Sequence, residues 1–295
     1  MSTFQFPRRV ATQVVETDFM HDVAERTLAA HNSSPIVVWT GRSRLGKTTT
    51  AEWLARRINA AYSESNPDAF QARRYQATET PGWLGADKTA MAAFHHGILG
   101  VLDVGLYRRL AAPQLAALVV AGLLRNRIEL VFVDEAGLYS LTALRGLITI
   151  RDHMVDKGGR LTLVLIGMDD LPTKLEQNPQ IAGRVHEWCY FQSYKLSETA
   201  RLVRKISPLW AQASAKNLEV RRQLKFIHQV TDGTPGRIVP FVQKVEQEVA
   251  SGQKLSVALL KAVQIRTAQS RKNAQAAQQN AYRKQPPRRP TRGAS

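Results

Sequence analysis

The residues Gly41-Arg42-Ser43-Arg44-Leu45-Gly46-Lys47-Thr48 constrain this chain more than any others. They match the spacing G-x-x-x-x-G-K-[ST] in full. Before them stands Ile36-Val37-Val38-Trp39-Thr40, a short apolar run of strand character. After them a helix is predicted over 49–58, with Ala51, Leu54, Ala55 and Ile58 on one face. A strand that turns through two glycines into a helix aims several backbone N–H groups at one spot. The helix start adds a partial positive charge there. From this loop Lys47 reaches the β- and γ-phosphates of a nucleotide, and the Thr48 hydroxyl offers a ligand to Mg²⁺. Gly41 through Thr49 are therefore the candidate contacts for ATP.

A second run, Leu130-Val131-Phe132-Val133-Asp134-Glu135, is apolar and closes on two acids. A buried parallel strand reads this way, and ligands in open α/β sheets sit at the C-terminal edge of the strands. Asp134 is the candidate to hold the Mg²⁺ shell together with Thr48. Glu135 is the candidate to orient and deprotonate an attacking water. A third apolar run, Leu161 to Ile166, leads into Gly167-Met168-Asp169-Asp170. Helical patterns alternate with these runs, which predicts an α/β fold with a mainly parallel sheet.

Two further arginines stand at informative places. Arg184 follows a predicted helix over 171–176 and precedes a strand marked by Trp188, Tyr190 and Phe191. It is placed either to act on the nucleotide of a neighbouring copy, where a cation stabilises transition-state charge, or to form a surface salt bridge. Residues 196–265 read as all-helical and contain the turn Thr231-Asp232-Gly233-Thr234-Pro235-Gly236-Arg237. A cation at a helix start opposes the dipole, so Arg237 calls for an anion: a nucleotide phosphate, or else a nearby acid.

The chain carries 41 Lys and Arg against 24 Asp and Glu, a formal net charge of +17. Such an excess suits a polyanionic partner: nucleic acid first, a membrane surface or an acidic protein second. From Arg266 onward there is no acid, and the chain ends near Gln285-Pro286-Pro287-Arg288-Arg289-Pro290, a composition expected to be disordered. An apolar share of 44% excludes disorder along the whole chain. The lone Cys189 excludes an intramolecular disulfide framework and a multi-cysteine metal site, which points to a reduced, cytoplasmic setting. The longest apolar run, Leu115 to Leu124, is far short of the roughly 20 residues of a bilayer helix, so no membrane is expected. The expected layout is a helical segment over 1–34, an α/β nucleotide-binding core over 35–195, a helical lid over 196–265 and a basic flexible tail over 266–295.

Taken together, the phosphate loop, the Asp134-Glu135 strand, the Gly167 strand end, Arg184 and the Gly233 to Arg237 turn resemble AAA+ ATPases. The stretches Val164-Leu165-Ile166-Gly167-Met168-Asp169-Asp170-Leu171 and Thr231 to Arg237 resemble, more narrowly, transposition regulators of the TnsC, TniB and MuB type. The resemblance implies a P-loop AAA+ core with a parallel sheet, a small helical lid, ATP and Mg²⁺ as cofactors, and a homo-oligomeric ring or filament on double-stranded DNA. It also implies a transposase and a target-selection protein as partners. Met168 stands where such ATPases usually carry Thr or Asn, which implies slow hydrolysis. In this family basic residues before the acid strand grip phosphates; here they are Arg73, Arg74, Lys88, Arg108 and Arg109. A helicase loader shares the same site but engages single strands or a helicase. A module that binds ATP without hydrolysing it is the third reading.

Overall fold

The computed structural model describes residues 14–283 except 32, 34, 67, 77–111 and 215. Lys88, Arg108, Arg109 and residues 284–295 lie outside the described residues. The chain divides into two compact units, Met1–Gln192 and Ser193–Ser295.

Among the described residues five strands form the sheet of the first unit: β1 (Ile36–Thr40), β2 (Gln71–Gln76), β3 (Ile128–Asp134), β4 (Thr162–Gly167) and β5 (Val185–Tyr190). Their order is β2-β3-β4-β1-β5 and every pair is parallel. Parallel neighbours need a crossover on a face of the sheet, so both faces are covered. Alternation along each strand serves both covers. On one face Val37, Trp39, Leu130, Phe132, Val164 and Ile166 join residues of α1 (Asp18–His31) and α2 (Lys47–Ala61). On the other, Ile36, Val38, Val131, Val133, Leu163 and Leu165 meet α3 (Ala112–Arg125) and α4 (Leu141–Asp156). Each buried side chain of this size contributes about 1.5–3 kcal/mol. α1 packs Met20, Val23, Ala24 and Ala30 into the same cluster as β1, so the N-terminal helix belongs to the core.

The register places the chemistry. Thr40 of β1 pairs with Gly167 of β4, and Val133 of β3 with Leu165 of β4. The segments after Thr40, Asp134 and Gly167 therefore leave the sheet along one edge. Beyond β4 come two short helices, α5 (Leu171–Glu176) and α6 (Pro179–Ala182). Asn178 caps α6 by accepting from the backbone N–H groups of Gln180 and Ile181.

The second unit is helical: α7 (Leu196–Ile206), α8 (Pro208–Ala211), α9 (Leu218–Thr231), α10 (Pro235–Ala250) and α11 (Val257–Arg283). Trp210 is fully buried and donates its indole N–H to Gln223 Oε1 at 2.9 Å. Helix α11 continues to Arg283, so it runs through residues 266–283 of the basic segment. Among its described side chains, the buried ones, Leu259, Leu260 and Val263, lie in the first two turns. Among the described residues no helix is long and apolar enough to cross a membrane.

Candidate nucleotide site

The loop between β1 and α2 is held by backbone needs that side chains cannot meet. Gly41 has φ +148°, and a Cβ there would lie 2.5 Å from the Phe191 carbonyl oxygen. That close approach follows from the Phe191 N–H donating to Thr40 O at 2.7 Å. Gly46, the residue before α2, has φ +95° but open space around its Cβ position. Its requirement is purely conformational. Arg44 also takes a positive φ, 68°. Leu45 anchors the loop in the core, while Arg42, Ser43, Arg44, Thr48 and Thr49 are exposed.

Lys47 turns back onto the loop, donating to the carbonyl oxygens of Gly41 and, at 2.9 Å, of Arg42. Burial holds its pKa below the ordinary lysine value. The nearby Glu135, Asp169 and Asp134 oppose that shift without cancelling it.

Thr48 joins the loop to the acid strand, its hydroxyl donating to Asp134 Oδ2 at 2.8 Å. Asp134 is 3% exposed. A buried carboxylate needs compensating donors, and Asp134 has three. The backbone N–H of Glu135 serves Oδ1 at 3.0 Å, while Thr48 and Arg74 Nη1, at 3.0 Å, share Oδ2. Glu135 itself is exposed and adopts left-handed backbone angles, φ 57° and ψ 36°. That conformation costs a non-glycine residue about 1–2 kcal/mol.

Arg74, expected among residues facing DNA, is instead tied into this site. Its other nitrogen, Nη2, pairs with Glu52 Oε1 of α2 at 3.0 Å. The correction has a simple cause: on β2 the odd and even residues face opposite ways, and Arg74 shares the α2 face with the buried Ala72. Arg73 on the opposite face bonds within its own strand, to Gln71 Oε1 at 2.8 Å and Ala72 O at 3.1 Å.

At the end of β4, the Met168 carbonyl accepts the Thr40 hydroxyl at 2.6 Å, and the Met168 side chain is 40% exposed. No side-chain donor stands at that position; the neighbouring Asp169 and Asp170 are exposed acids. Arg184 precedes β5 and forms an ion pair with Asp152 of α4, whose other oxygen takes Arg151 Nη1 at 2.8 Å. Arg237 is exposed at the start of α10 and has no ion pair among the described residues.

The structure thus brings Lys47, Thr48, Asp134 and Glu135 together at one sheet edge and adds Arg74 and Glu52. Thr48 and Asp134 offer the hard oxygen donors that Mg²⁺ prefers. No group of three or more His, Cys, Asp or Glu able to hold a metal is found among the described residues. A metal here would complete its shell with water and phosphate oxygens, as Mg²⁺ commonly does.

Comparison with known proteins supports this assignment of the fold. Residues 30–175 match a family model described as "AAA domain". No curated protein matches the chain. Among solved structures, the ORC2 protein of Aeropyrum pernix in its ADP form is similar at TM-score 0.64 and 18% identity, over 89% of this chain and 70% of that one. Cdc6p of Pyrobaculum aerophilum is similar at TM-score 0.58 and 18% identity, over 85% of this chain and 65% of that one. The Aeropyrum pernix ORC1 protein, solved in complex with DNA, is similar at TM-score 0.53 and 13% identity, over 84% of this chain and 64% of that one. The five-stranded parallel sheet of the described residues, the glycine loop at its edge, the match over residues 30–175 and the likeness to these structures agree: the first unit has the P-loop AAA+ fold.

Proposed function

We propose that the chain is an ATP-driven, DNA-binding AAA+ switch that assembles with copies of itself on double-stranded DNA and is released by hydrolysis. The observation that carries this reading is the Thr48–Asp134 hydrogen bond, which closes the phosphate loop onto the acid strand. Lys47 moves from the carbonyls of Gly41 and Arg42 onto phosphate oxygens, a shift its partial burial rewards with a stronger electrostatic contact. Thr48 and Asp134 hold Mg²⁺, which supplies charge neutralisation to the phosphates. Glu135 orients water for in-line attack and takes its proton. Arg184 acts on the nucleotide of a neighbouring copy, leaving Asp152 on assembly. Arg237 is the phosphate-binding candidate of the second unit.

The DNA part rests on charge. The net charge is +17, and no acid follows Glu248. Contacts from Arg73, Lys88, Arg108, Arg109 and the basic C-terminal residues would go to phosphates, so binding is weakly sequence-specific and salt-sensitive. A role in regulating transposition, choosing a target site and recruiting a transposase with a targeting partner, is supported by the Val164 to Leu171 and Thr231 to Arg237 stretches. A replication-type role is supported by the likeness to ORC2 and Cdc6p. A cytoplasmic setting fits the single free cysteine, Cys189, which is buried.

The test is negative-stain microscopy of the chain on duplex and single-stranded DNA with ATP, ADP or no nucleotide, at two salt concentrations. ATP-dependent rings or filaments on duplex DNA are expected. Binding that prefers single strands would favour a loader, and binding indifferent to nucleotide would contradict the switch.

A further inference from the structure

Arg74 is a residue of the site that the phosphate-loop chemistry does not require. It is also a fixed cation at the place where a cation is to bind. Its Nη1 lies 3.0 Å from Asp134 Oδ2, the same oxygen that receives the Thr48 hydroxyl at 2.8 Å. The other carboxylate oxygen, Oδ1, is occupied by the Glu135 backbone N–H. Oδ2 is therefore the oxygen that faces the metal position beside Thr48. Arg74 and a divalent cation compete for it, and two cations on one buried oxygen repel strongly.

The guanidinium has somewhere else to go. Nη2 already pairs with Glu52 Oε1 at 3.0 Å, one turn along α2 from Thr48. Glu52 is nearly half exposed, whereas Asp134 is almost fully buried. An arginine can rotate about its own stem and keep one carboxylate while releasing the other. Its charge then stays in the site, balanced by Glu52.

We propose that Arg74 is an internal counter-cation: it holds the metal-facing oxygen of Asp134 and shifts wholly onto Glu52 as Mg²⁺ and nucleotide load, so that Arg74 sets the magnesium concentration at which the site fills. The inference rests on the nucleotide reading given above. It makes Arg74 a positioning residue that acts through Asp134, with Glu52 as its alternative anchor. The two residues therefore act on magnesium affinity in opposite directions. Removing Arg74 frees Oδ2 of a charge-assisted hydrogen bond and of a neighbouring positive charge. Removing the charge of Glu52 leaves Arg74 with Asp134 as its sole anion among the described residues and tightens its hold.

The experiment is a titration of a fluorescent ATP analogue into the full chain at fixed magnesium concentrations, beginning in EDTA. It is run on the wild type, Arg74→Gln and Glu52→Gln, each checked for its thermal transition. The quantity read is the magnesium concentration that gives half of the magnesium-dependent gain in affinity. Arg74→Gln is expected to lower it roughly ten-fold, the effect of losing one charge-assisted competitor. Glu52→Gln is expected to raise it about two- to five-fold, the range for a partly exposed ion pair. A residue that merely braces the fold would shift both variants the same way. Arg74→Gln with unchanged or weakened magnesium affinity, while the wild type binds the analogue, overturns the inference and leaves the nucleotide reading standing. So does a Glu52→Gln variant that moves with Arg74→Gln. If Arg74→Gln does not fold, the Glu52→Gln shift alone decides the sign. Failure of the wild type to bind the analogue at all would remove the nucleotide reading, and this inference with it.

Discussion

Thr48 and Asp134 stand 86 residues apart in sequence and 2.8 Å apart in space, the hydroxyl of one donating to Oδ2 of the other. This contact spans two crossovers of the sheet, and it forms because β1 and β3 end at the same edge with β4 between them. It is the point where the glycine loop meets the buried carboxylate at the end of the acid strand. Loss of either partner should be felt in magnesium-dependent binding before it is felt in stability.

Thr48→Ala leaves Asp134 with Arg74 and the Glu135 N–H, so it should cost about 0.5–1.5 kcal/mol of stability. The same change should weaken ATP binding in Mg²⁺ by roughly 10-fold or more, and leave binding in EDTA nearly unchanged. Calorimetry with and without magnesium reads both numbers. Equal losses in the two conditions would show that Thr48 acts on the loop and not on the metal.

The two loop glycines should behave differently. An alanine Cβ at Gly41 would sit 2.5 Å from the Phe191 carbonyl, so strain and steric conflict add, to about 2–4 kcal/mol. At Gly46 space is open, and Gly46→Ala should cost only about 1–2 kcal/mol of backbone strain. Urea unfolding of the two variants gives the ratio directly.

Glu135→Gln should keep ATP binding and lower hydrolysis about 10²–10⁴-fold, the usual contribution of a positioned base. Assemblies formed with ATP should then persist. Normal hydrolysis by this variant would remove Glu135 from the role of base.

Arg184 should complement in trans. Its ion pair with Asp152 joins two side chains that are 44% and 36% exposed, and such a pair is worth at most about 1 kcal/mol. Assembly can therefore break it readily. Arg184→Ala and Lys47→Ala should each be inactive alone, and mixing them should restore hydrolysis if one copy lends Arg184 to the nucleotide of the next. A mixture as inactive as its parts would leave Arg184 as a surface ion pair.

Acid should loosen the far end of the sheet. Burial raises the Glu129 pKa, but the His31 hydrogen bond and Arg160 together outweigh it, so the net shift is below the ordinary glutamate value of 4.5. His31 Nε2 lies 3.2 Å and Arg160 Nε 2.9 Å from Glu129 Oε2. A carboxylate with a depressed folded-state pKa stabilises above its unfolded pKa, and that stability is lost as pH falls through the folded value. Stability should therefore drop below about pH 4.5, and Glu129→Gln should flatten this acid limb in melts taken across pH.

Much of this was readable from residue patterns, and the reasons for the rest are specific. Ile36–Thr40 and the acid strand announce themselves because strands buried on both faces are apolar without interruption. β2 carries no such signature. Its sequence, Gln-Ala-Arg-Arg-Tyr-Gln, is that of an edge strand, and Arg74 reads as one more surface cation. Its true partners, Glu52 and Asp134, lie 22 and 60 positions away; the packing of α2 on β2 brings the first to it and the register of β2 on β3 the second. The left-handed backbone of Glu135 is likewise invisible in sequence, since glutamate does not favour it. Helix α11 runs past Ile265 to Arg283 without an apolar stripe to mark its length, through residues whose Ala, Gln and Arg content favours a helix without requiring one.

The most direct test of the central claim is a calorimetric titration of ATP, with Mg²⁺, into the wild-type chain and into Lys47→Ala. One ATP should bind per wild-type chain and none measurably to Lys47→Ala, because Lys47 is the loop cation placed to reach the β- and γ-phosphates. ATP binding that survives Lys47→Ala unchanged, or a wild-type chain that binds no ATP, would contradict the site built here from Gly41 to Thr49 and Asp134.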